Sequence, residues 1–196
     1  MKIAVLASGS GTNLQALIDS ADAEVEIEVV ITDRDGVAAL ERADRAGIPT
    51  EVFRYGDFAG REEFSAAIVD SAERYGAEAL VLAGFMRILS PIAIDRYRNR
   101  ILNIHPSLLP AFPGAHAVAQ ALAHGVKITG VTVHFVDEEV DHGPIIAQRP
   151  VPVLEGDTEQ TLHERIRVEE HKIYPEVVAG FARGHIRVVG REVVWR

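Results

Sequence analysis

The segment KIAVLASGSGTNLQALI, residues 2–18, decides the fold class that the sequence predicts. Its first six residues form a short apolar run, and the polar, glycine-rich stretch SGSGTN follows at 8–13. Leu14, Leu17 and Ile18 then recur at helical spacing. This order predicts a buried strand, a tight loop and a helix, which is the opening unit of an α/β sheet.

The same alternation continues through the first half of the chain. Strands are predicted at 26–32, near 50–53 and at 79–84, with amphipathic helices at 37–47 and 61–76 between them. Strands that are apolar along most of their length and alternate with helices indicate a parallel sheet covered on both faces. We therefore expect an α/β, Rossmann-like fold with a mostly parallel sheet.

The alternation of strands and helices is less regular in the second half of the chain. This pattern predicts antiparallel strands in the C-terminal half. The prolines of the segment 143–153 favour an edge strand or a bulge there. The predicted elements are a strand from 101 that ends at a proline-rich turn, a helix at 116–124, strands at 127–136 and 143–153, a long helix capped by Asp157 or Thr158, and a small hairpin around Gly190.

Composition excludes several classes of protein. The 196 residues are 47% hydrophobic and 25% charged, as in an ordinary globular domain. Cysteine is absent, which excludes disulfides, cysteine-ligated metals and thiol nucleophiles. The net charge of -9, without a basic stretch, argues against nucleic acid as a partner. No apolar run is long enough for a membrane helix or a signal peptide, so we expect a cytoplasmic protein.

The glycine loop, residues 8–13, is a candidate phosphate site because free backbone amides open the following helix. It departs from the dinucleotide pattern G-x-G-x-x-G, since Leu14 stands where the third glycine belongs. Asp33 at the end of the second strand keeps an NAD-binding alternative open. A Walker lysine is also missing, so a single phosphate monoester is favoured, and a turn without any ligand is the other interpretation.

Asn103 and His105 form the second candidate. Alternation along a strand places both side chains on the same face, at the carboxyl end where open sheets bind ligands. An amide beside an imidazole can stabilise a developing oxyanion. A hydrogen-bonded structural histidine is the alternative.

The acidic segment VHFVDEEVDHGP, residues 133–144, is the third candidate. A calcium loop would need glycine at its sixth position, where His142 stands, and the histidines lack zinc-binding spacing. The segment is therefore either a solvated loop or the support for Asp141, which would orient an imidazole or relay a proton.

Five segments, in this order and spacing, resemble the phosphoribosylglycinamide formyltransferase family, and the resemblance covers about residues 1–183. They are SGSGTNLQALI (8–18), LAGFMRILSP (82–91), NIHPSLLPAFPGAH (103–116), TVHFVDEEVDHGPIIAQ (132–148) and EEHKIYPEVV (169–178). The hairpin from 184 onward carries no motif of that family.

The resemblance implies transfer of a formyl group from 10-formyltetrahydrofolate, a cosubstrate, to the amine of glycinamide ribonucleotide in purine synthesis. Asn103, His105 and Asp141 match the catalytic set. Asn103 and protonated His105 would hold the oxyanion formed by direct amine attack, and Asp141 would orient His105 and help move the amine proton through water. We expect Asp141 to raise the pKa of His105, and closure of the site to strengthen this effect.

The resemblance also implies the binding residues, without any metal. The nucleotide would contact Gly11, Thr12, Asn13, Arg167 and Glu170. Formyl folate would contact Arg61, Arg87, Ile88, Leu89, Glu138, Glu139, Val140 and Asp141. We expect one domain, 1–196, with a phosphate-binding half at 1–100 and a catalytic and folate-binding half at 101–196, acting as a monomer or homodimer on small molecules without nucleic acid or membrane partners.

Three other functions are open. A methionyl-tRNA formyltransferase would be expected to carry a further C-terminal domain and a basic surface. A formyltetrahydrofolate hydrolase would be expected to carry an N-terminal regulatory domain. From another class, an NAD-binding or sensor module would use Asp33.

Overall fold

A computed structural model describes residues 1–196 and contains nine strands, six α-helices and one short 3-10 helix. The strands are β1 (Lys2–Ala7), β2 (Glu26–Thr32), β3 (Thr50–Val52), β4 (Ala79–Leu82), β5 (Ile101–His105), β6 (Ile128–Phe135), β7 (Ile145–Pro152), β8 (Ile186–Val189) and β9 (Glu192–Trp195). The helices are α1 (Thr12–Ser20), α2 (Ala38–Arg45), α3 (Arg61–Arg74), α4 (Pro91–Arg96), α5 (Ala117–His124) and α6 (Glu159–Ala182), with the 3-10 helix at Tyr55–Asp57.

The main sheet has seven strands in the order β3-β2-β1-β4-β5-β6-β7, and β8 and β9 form a separate hairpin. The pairs β1–β2, β1–β4, β2–β3 and β4–β5 are parallel, whereas β6 and β7 are antiparallel. The predicted fold class is confirmed, with the antiparallel pair in the C-terminal half. β7 lies at the edge of the sheet, as the prolines in its sequence predicted.

Every predicted strand and helix is present, with ends that differ by at most two residues. The sequence interpretation missed α4 and the 3-10 helix. α4 has only six residues and begins at Pro91, so it is too short to show a helical period. Pro91 occupies the first turn, where a missing backbone N–H costs nothing.

The chain folds into two compact units, Met1–Asn103 and Ile104–Arg196. In the first unit, the apolar residues of β1 and β4 are buried, as the parallel-sheet interpretation requires. Phe64 of α3 is fully buried and packs edge-on against Tyr55 and Phe58, with its ring stacked on Phe85. The single-domain organisation expected from the sequence stays a prediction.

In the second unit, α6 packs on β6 and β7. Thr158 caps the helix by accepting a hydrogen bond from the Thr161 amide, while Thr161 Oγ1 accepts from the Thr158 amide. The apolar stripe that predicted the helix is buried at Leu162 and Ile166. None of the helices, including this one of 24 residues, combines the length and apolar character needed to cross a membrane.

The hairpin of β8 and β9 is fixed to the second unit through Trp195. The indole Nε1–H donates to the Ile146 carbonyl of β7 at 3.2 Å. Its ring lies over Gly180 of α6, where a Cβ atom would come within 2.8 Å of it. A side chain at Gly180 would therefore displace the indole.

Candidate active site

The side chains of His105 and Asp141 meet in the second unit. His105 is buried at the end of β5, and its Nδ1 lies 3.2 Å from Asp141 Oδ2. Its Nε2 lies 2.9 Å from the Phe112 carbonyl oxygen. Both neighbours can only accept hydrogen bonds, so only a doubly protonated ring satisfies both contacts. The structure thus brings together two of the three predicted catalytic side chains.

Asp141 receives two further contacts. The Gly114 amide donates to Asp141 Oδ2 at 2.7 Å, and His134 Nε2 lies 3.6 Å from Asp141 Oδ1. The ring of His134 is held by a hydrogen bond of 2.8 Å from its Nδ1 to the Phe135 carbonyl. The sequence interpretation quoted His134 within its segment without giving it a role. Strand alternation predicts only which face of β6 the His134 side chain lies on, and it does not predict the contact with Asp141.

Burial dominates the titration of His105. It lowers the pKa of the imidazole below its ordinary value, while the charge of Asp141 and the Phe112 carbonyl raise it only part of the way back. Asp141 acts in the expected direction, but the expected net rise in the pKa of His105 is wrong, because burial outweighs the carboxylate. Taking a cation out of water costs more than the gain from this one carboxylate.

At Asp141 the polar contacts outweigh burial in setting the pKa. Burial raises the pKa of its carboxyl, but the contact with His134, the charge of His105 and the Gly114 amide together lower it below the ordinary value. Asp141 is therefore a carboxylate at neutral pH. It provides a fixed negative charge beside an imidazole whose protonated form is disfavoured by burial.

The turn after β5, residues 106–114, is fixed by side chains of β6 and β7. Thr132 Oγ1 donates to the Ser107 carbonyl at 2.7 Å and accepts from the Leu109 amide at 3.0 Å. Gln148 Nε2 donates to the Leu109 carbonyl at 2.9 Å. These bonds hold the backbone that presents the Phe112 carbonyl to His105 and the Gly114 amide to Asp141.

The Asp141 loop, residues 137–143, folds back on itself. Asp137 Oδ1 accepts from the Glu139 amide at 3.0 Å, and Asp137 Oδ2 lies 2.8 Å from Nδ1 of His142. Gly143 approaches β6 so closely that a Cβ atom there would lie 1.9 Å from the Phe135 carbonyl oxygen. Glu138, Glu139 and Val140 are exposed, so these three match the solvated interpretation, whereas Asp141 points inward.

In the first unit, helix α2 shapes the glycine loop. Gly11 has a φ of 66°, and a Cβ atom there would lie 2.8 Å from the Cα of Ala39. The Ala39 amide donates to the Gly9 carbonyl at 3.1 Å, and Arg42 Nε donates to the Ser10 carbonyl at 2.8 Å. The loop is thereby held open at the start of α1, where the first-turn amides have no partner within the helix.

Asp33 and Arg87 form an ion pair that the sequence did not predict. Arg87 Nε lies 2.7 Å from Asp33 Oδ2, and the Asp33 side chain is fully buried. The guanidinium also lies 4.9 Å from the centre of the Tyr55 ring. A carboxylate that binds ribose must reach its ligand, so this burial argues against the NAD-binding alternative.

The remaining predicted binding residues occupy several elements. Asn103 lies on β5 two residues before His105, and Arg61 is the exposed first residue of α3. Ile88 is exposed and Leu89 is buried. Thr12 and Asn13 open α1, with Asn13 buried. On α6, Arg167 is half-buried and lies three residues from the buried Glu170, on the same helical face.

Known proteins match this chain along nearly its whole length. The chain matches the formyl transferase family over residues 1–178. It is 48% identical over 192 residues to the phosphoribosylglycinamide formyltransferase of Mycobacterium tuberculosis, covering 97% of this chain and 89% of that protein. The crystal structure of glycinamide ribonucleotide transformylase 1 from Symbiobacterium toebii matches with a TM-score of 0.97 and 49% identity, covering 100% of this chain and 93% of that one.

A group of longer relatives contains a region similar to this chain. The chain is 48% identical over 190 residues to the human trifunctional purine biosynthetic protein adenosine-3, covering 95% of this chain and 19% of that protein. The chain therefore spans less than a fifth of the length of the trifunctional relatives that it matches.

The pH dependence of stability tests the burial of His105. Its pKa is lowered in the folded protein, so as the pH falls below about 6.5 the unfolded chain takes up the proton first and folding loses stability. In His105→Asn this contribution is absent. Between about pH 7.5 and 5.5 the free energy of unfolding should fall more steeply in the wild type than in the variant, by at most about 1.4 kcal/mol per pH unit.

Urea denaturation at several pH values measures these slopes. His185→Asn, at an exposed residue, is the control for loss of a histidine elsewhere. Parallel slopes for the wild type and His105→Asn would contradict the assignment.

Proposed function

The chain belongs to the formyl transferase family, and on that premise we propose that it transfers the formyl group of 10-formyltetrahydrofolate to the amine of glycinamide ribonucleotide in purine synthesis. The observation that carries the proposal is the match along nearly the whole chain to phosphoribosylglycinamide formyltransferases. The buried contact between His105 and Asp141 supports it, because a fixed carboxylate beside an imidazole suits proton transfer and oxyanion stabilisation.

The amine nitrogen would attack the formyl carbon and form a carbon–nitrogen bond, which leaves negative charge on the formyl oxygen. Asn103 would donate its amide N–H to this oxygen. In the structure, His105 Nε2 faces the Phe112 carbonyl. We propose that this N–H turns to the oxyanion, a stronger acceptor, and that the new negative charge favours the protonated ring.

Collapse of this intermediate breaks the bond from the formyl carbon to the folate nitrogen. The attacking amine loses a proton and the departing nitrogen gains one. Asp141, whose carboxyl has a lowered pKa, would hold His105 in place and pass the proton through a water molecule. His134 would act as a positioning residue, since it contacts the second oxygen of the same carboxylate.

The binding assignments are part of the proposal. The glycine loop would bind the phosphate through amides of Gly11, Thr12 and Asn13, with Arg167 as an added cation and Glu170 at the ribose. Formyl folate would contact Arg61, Arg87, Ile88, Leu89, Glu138, Glu139, Val140 and Asp141. The ion pair of Arg87 with Asp33 fixes its guanidinium, which supports a role for its backbone more than for its charge.

A folate cosubstrate without a metal, a cytoplasmic location and a monomeric or homodimeric state complete the proposal. These features stay predictions.

A coupled absorbance assay tests the reaction. We expect turnover with glycinamide ribonucleotide and the formyl folate together, and none with either alone. Asp141→Asn keeps the shape of the side chain but removes its charge, so kcat should fall about 100-fold or more while both KM values change little. Release of formate from the formyl folate without the amine substrate would instead identify a hydrolase.

Support of the glycine loop by Arg42 gives a second test. Arg42→Ala removes the hydrogen bond to the Ser10 carbonyl, so the loop should bind phosphate less well. The KM for glycinamide ribonucleotide should rise about 5-fold, the effect of one ordinary hydrogen bond, without change in the KM for formyl folate. Arg45→Ala, on the same helix, is the matched control. Equal increases in both KM values would count against a phosphate role for this loop.

A further inference from the structure

The tip of the C-terminal hairpin contacts the loop that carries Asp141. Arg191 follows the hairpin turn at Gly190, and its Nη2 donates to the His142 carbonyl at 2.7 Å. We propose that Arg191 is a positioning residue, which holds the Asp141 loop in the conformation that aims the carboxylate at His105. The catalytic consequence rests on the proposed function, whereas the effect on the loop does not.

The hairpin that carries Arg191 is fixed to the rest of the second unit. Trp195 pairs with Ile186 across the two strands, and Ile186 is buried. The indole is fixed on α6 and β7 by its contact with Gly180 and its hydrogen bond to the Ile146 carbonyl. Because the base of the hairpin is anchored in this way, Arg191 loses less freedom on binding the loop than a side chain on a free terminus would.

The Asp141 loop needs a restraint from outside the loop because the backbone of Asp141 itself is in an unfavourable conformation. Asp141 has a φ of 52°, a left-handed conformation that costs free energy for a residue other than glycine. Gly143 is fixed by its close approach to the Phe135 carbonyl. Between these two residues, the His142 carbonyl is the group that Arg191 binds, so the contact fixes the His142–Gly143 peptide, one residue beyond Asp141.

Other restraints on the loop include a contact inside it and a hydrogen bond from the turn after β5. The ring of His142 contacts Asp137, and the Gly114 amide contacts the Asp141 carboxylate itself. Arg191 acts on the backbone, and a guanidinium donates a stronger hydrogen bond to a carbonyl than a neutral group does. It also lies outside the residues 1–178 that match the family, so the family pattern gives no indication of it.

The test compares Arg191→Ala, Arg191→Lys and Arg187→Ala in the full-length chain. Arg187 is an exposed arginine on β8 of the same hairpin and is the matched control. Amide hydrogen exchange of residues 139–142 reports on the loop. Turnover with glycinamide ribonucleotide and 10-formyltetrahydrofolate reports on the position of Asp141.

In Arg191→Ala we expect faster exchange in the loop and a kcat about 5-fold lower, the effect of losing one hydrogen bond, with the KM for glycinamide ribonucleotide unchanged. Arg191→Lys retains a charged donor and should recover part of both losses. Arg187→Ala should match the wild type. A general loss of stability would not give this separation of kcat from KM or the recovery with lysine.

Two results would overturn the proposal. If exchange in the loop is the same in Arg191→Ala and Arg187→Ala, Arg191 does not hold the loop. If the loop exchanges faster but kcat is unchanged, the contact does not position Asp141 for the reaction. A wild-type chain that fails to transfer formyl groups refutes the proposed function, and hydrogen exchange then still decides whether Arg191 holds the loop.

Discussion

A carboxylate that is largely removed from water has to be paired, and the arrangement of the second unit follows from how Asp141 meets this requirement. One carboxylate oxygen takes the Gly114 amide and faces His105, and the other faces His134. Three separate segments of the chain must therefore converge on this group. The left-handed backbone at Asp141 is the conformational cost of turning a loop residue inward to meet them.

Hydrogen bonds to the backbone of the turn after β5, rather than further catalytic side chains, hold these segments together. Thr132 and Gln148, on two neighbouring strands, fix the proline-rich turn after β5. That turn then offers an acceptor to His105 and a donor to Asp141. Because the Phe112 carbonyl and the Asp141 carboxylate both accept hydrogen bonds, the neutral form of the imidazole leaves one contact unsatisfied, and a substrate that develops negative charge would favour the proton.

Local patterns explain why so much was predictable from the sequence. Apolar strands alternating with amphipathic helices predicted the sheet, and the strand pattern predicted that Asn103 and His105 belong to the same strand. The pairing of Asp141 with His105 followed from a family resemblance. The sequence could not predict contacts that only tertiary packing creates. Arg87 pairs with Asp33 across 54 residues and Arg191 reaches His142 across 49, and no periodicity or motif signals either contact.

The central claim is that the charge of Asp141 acts directly on the ring of His105. NMR titration of that ring in the wild type and in Asp141→Asn tests this claim most directly, with the chemical shift of the His105 ring followed against pH. Because the carboxylate opposes the effect of burial, its removal should lower the pKa of His105 further. An unchanged or higher pKa in Asp141→Asn would contradict the pairing on which this account of the site depends.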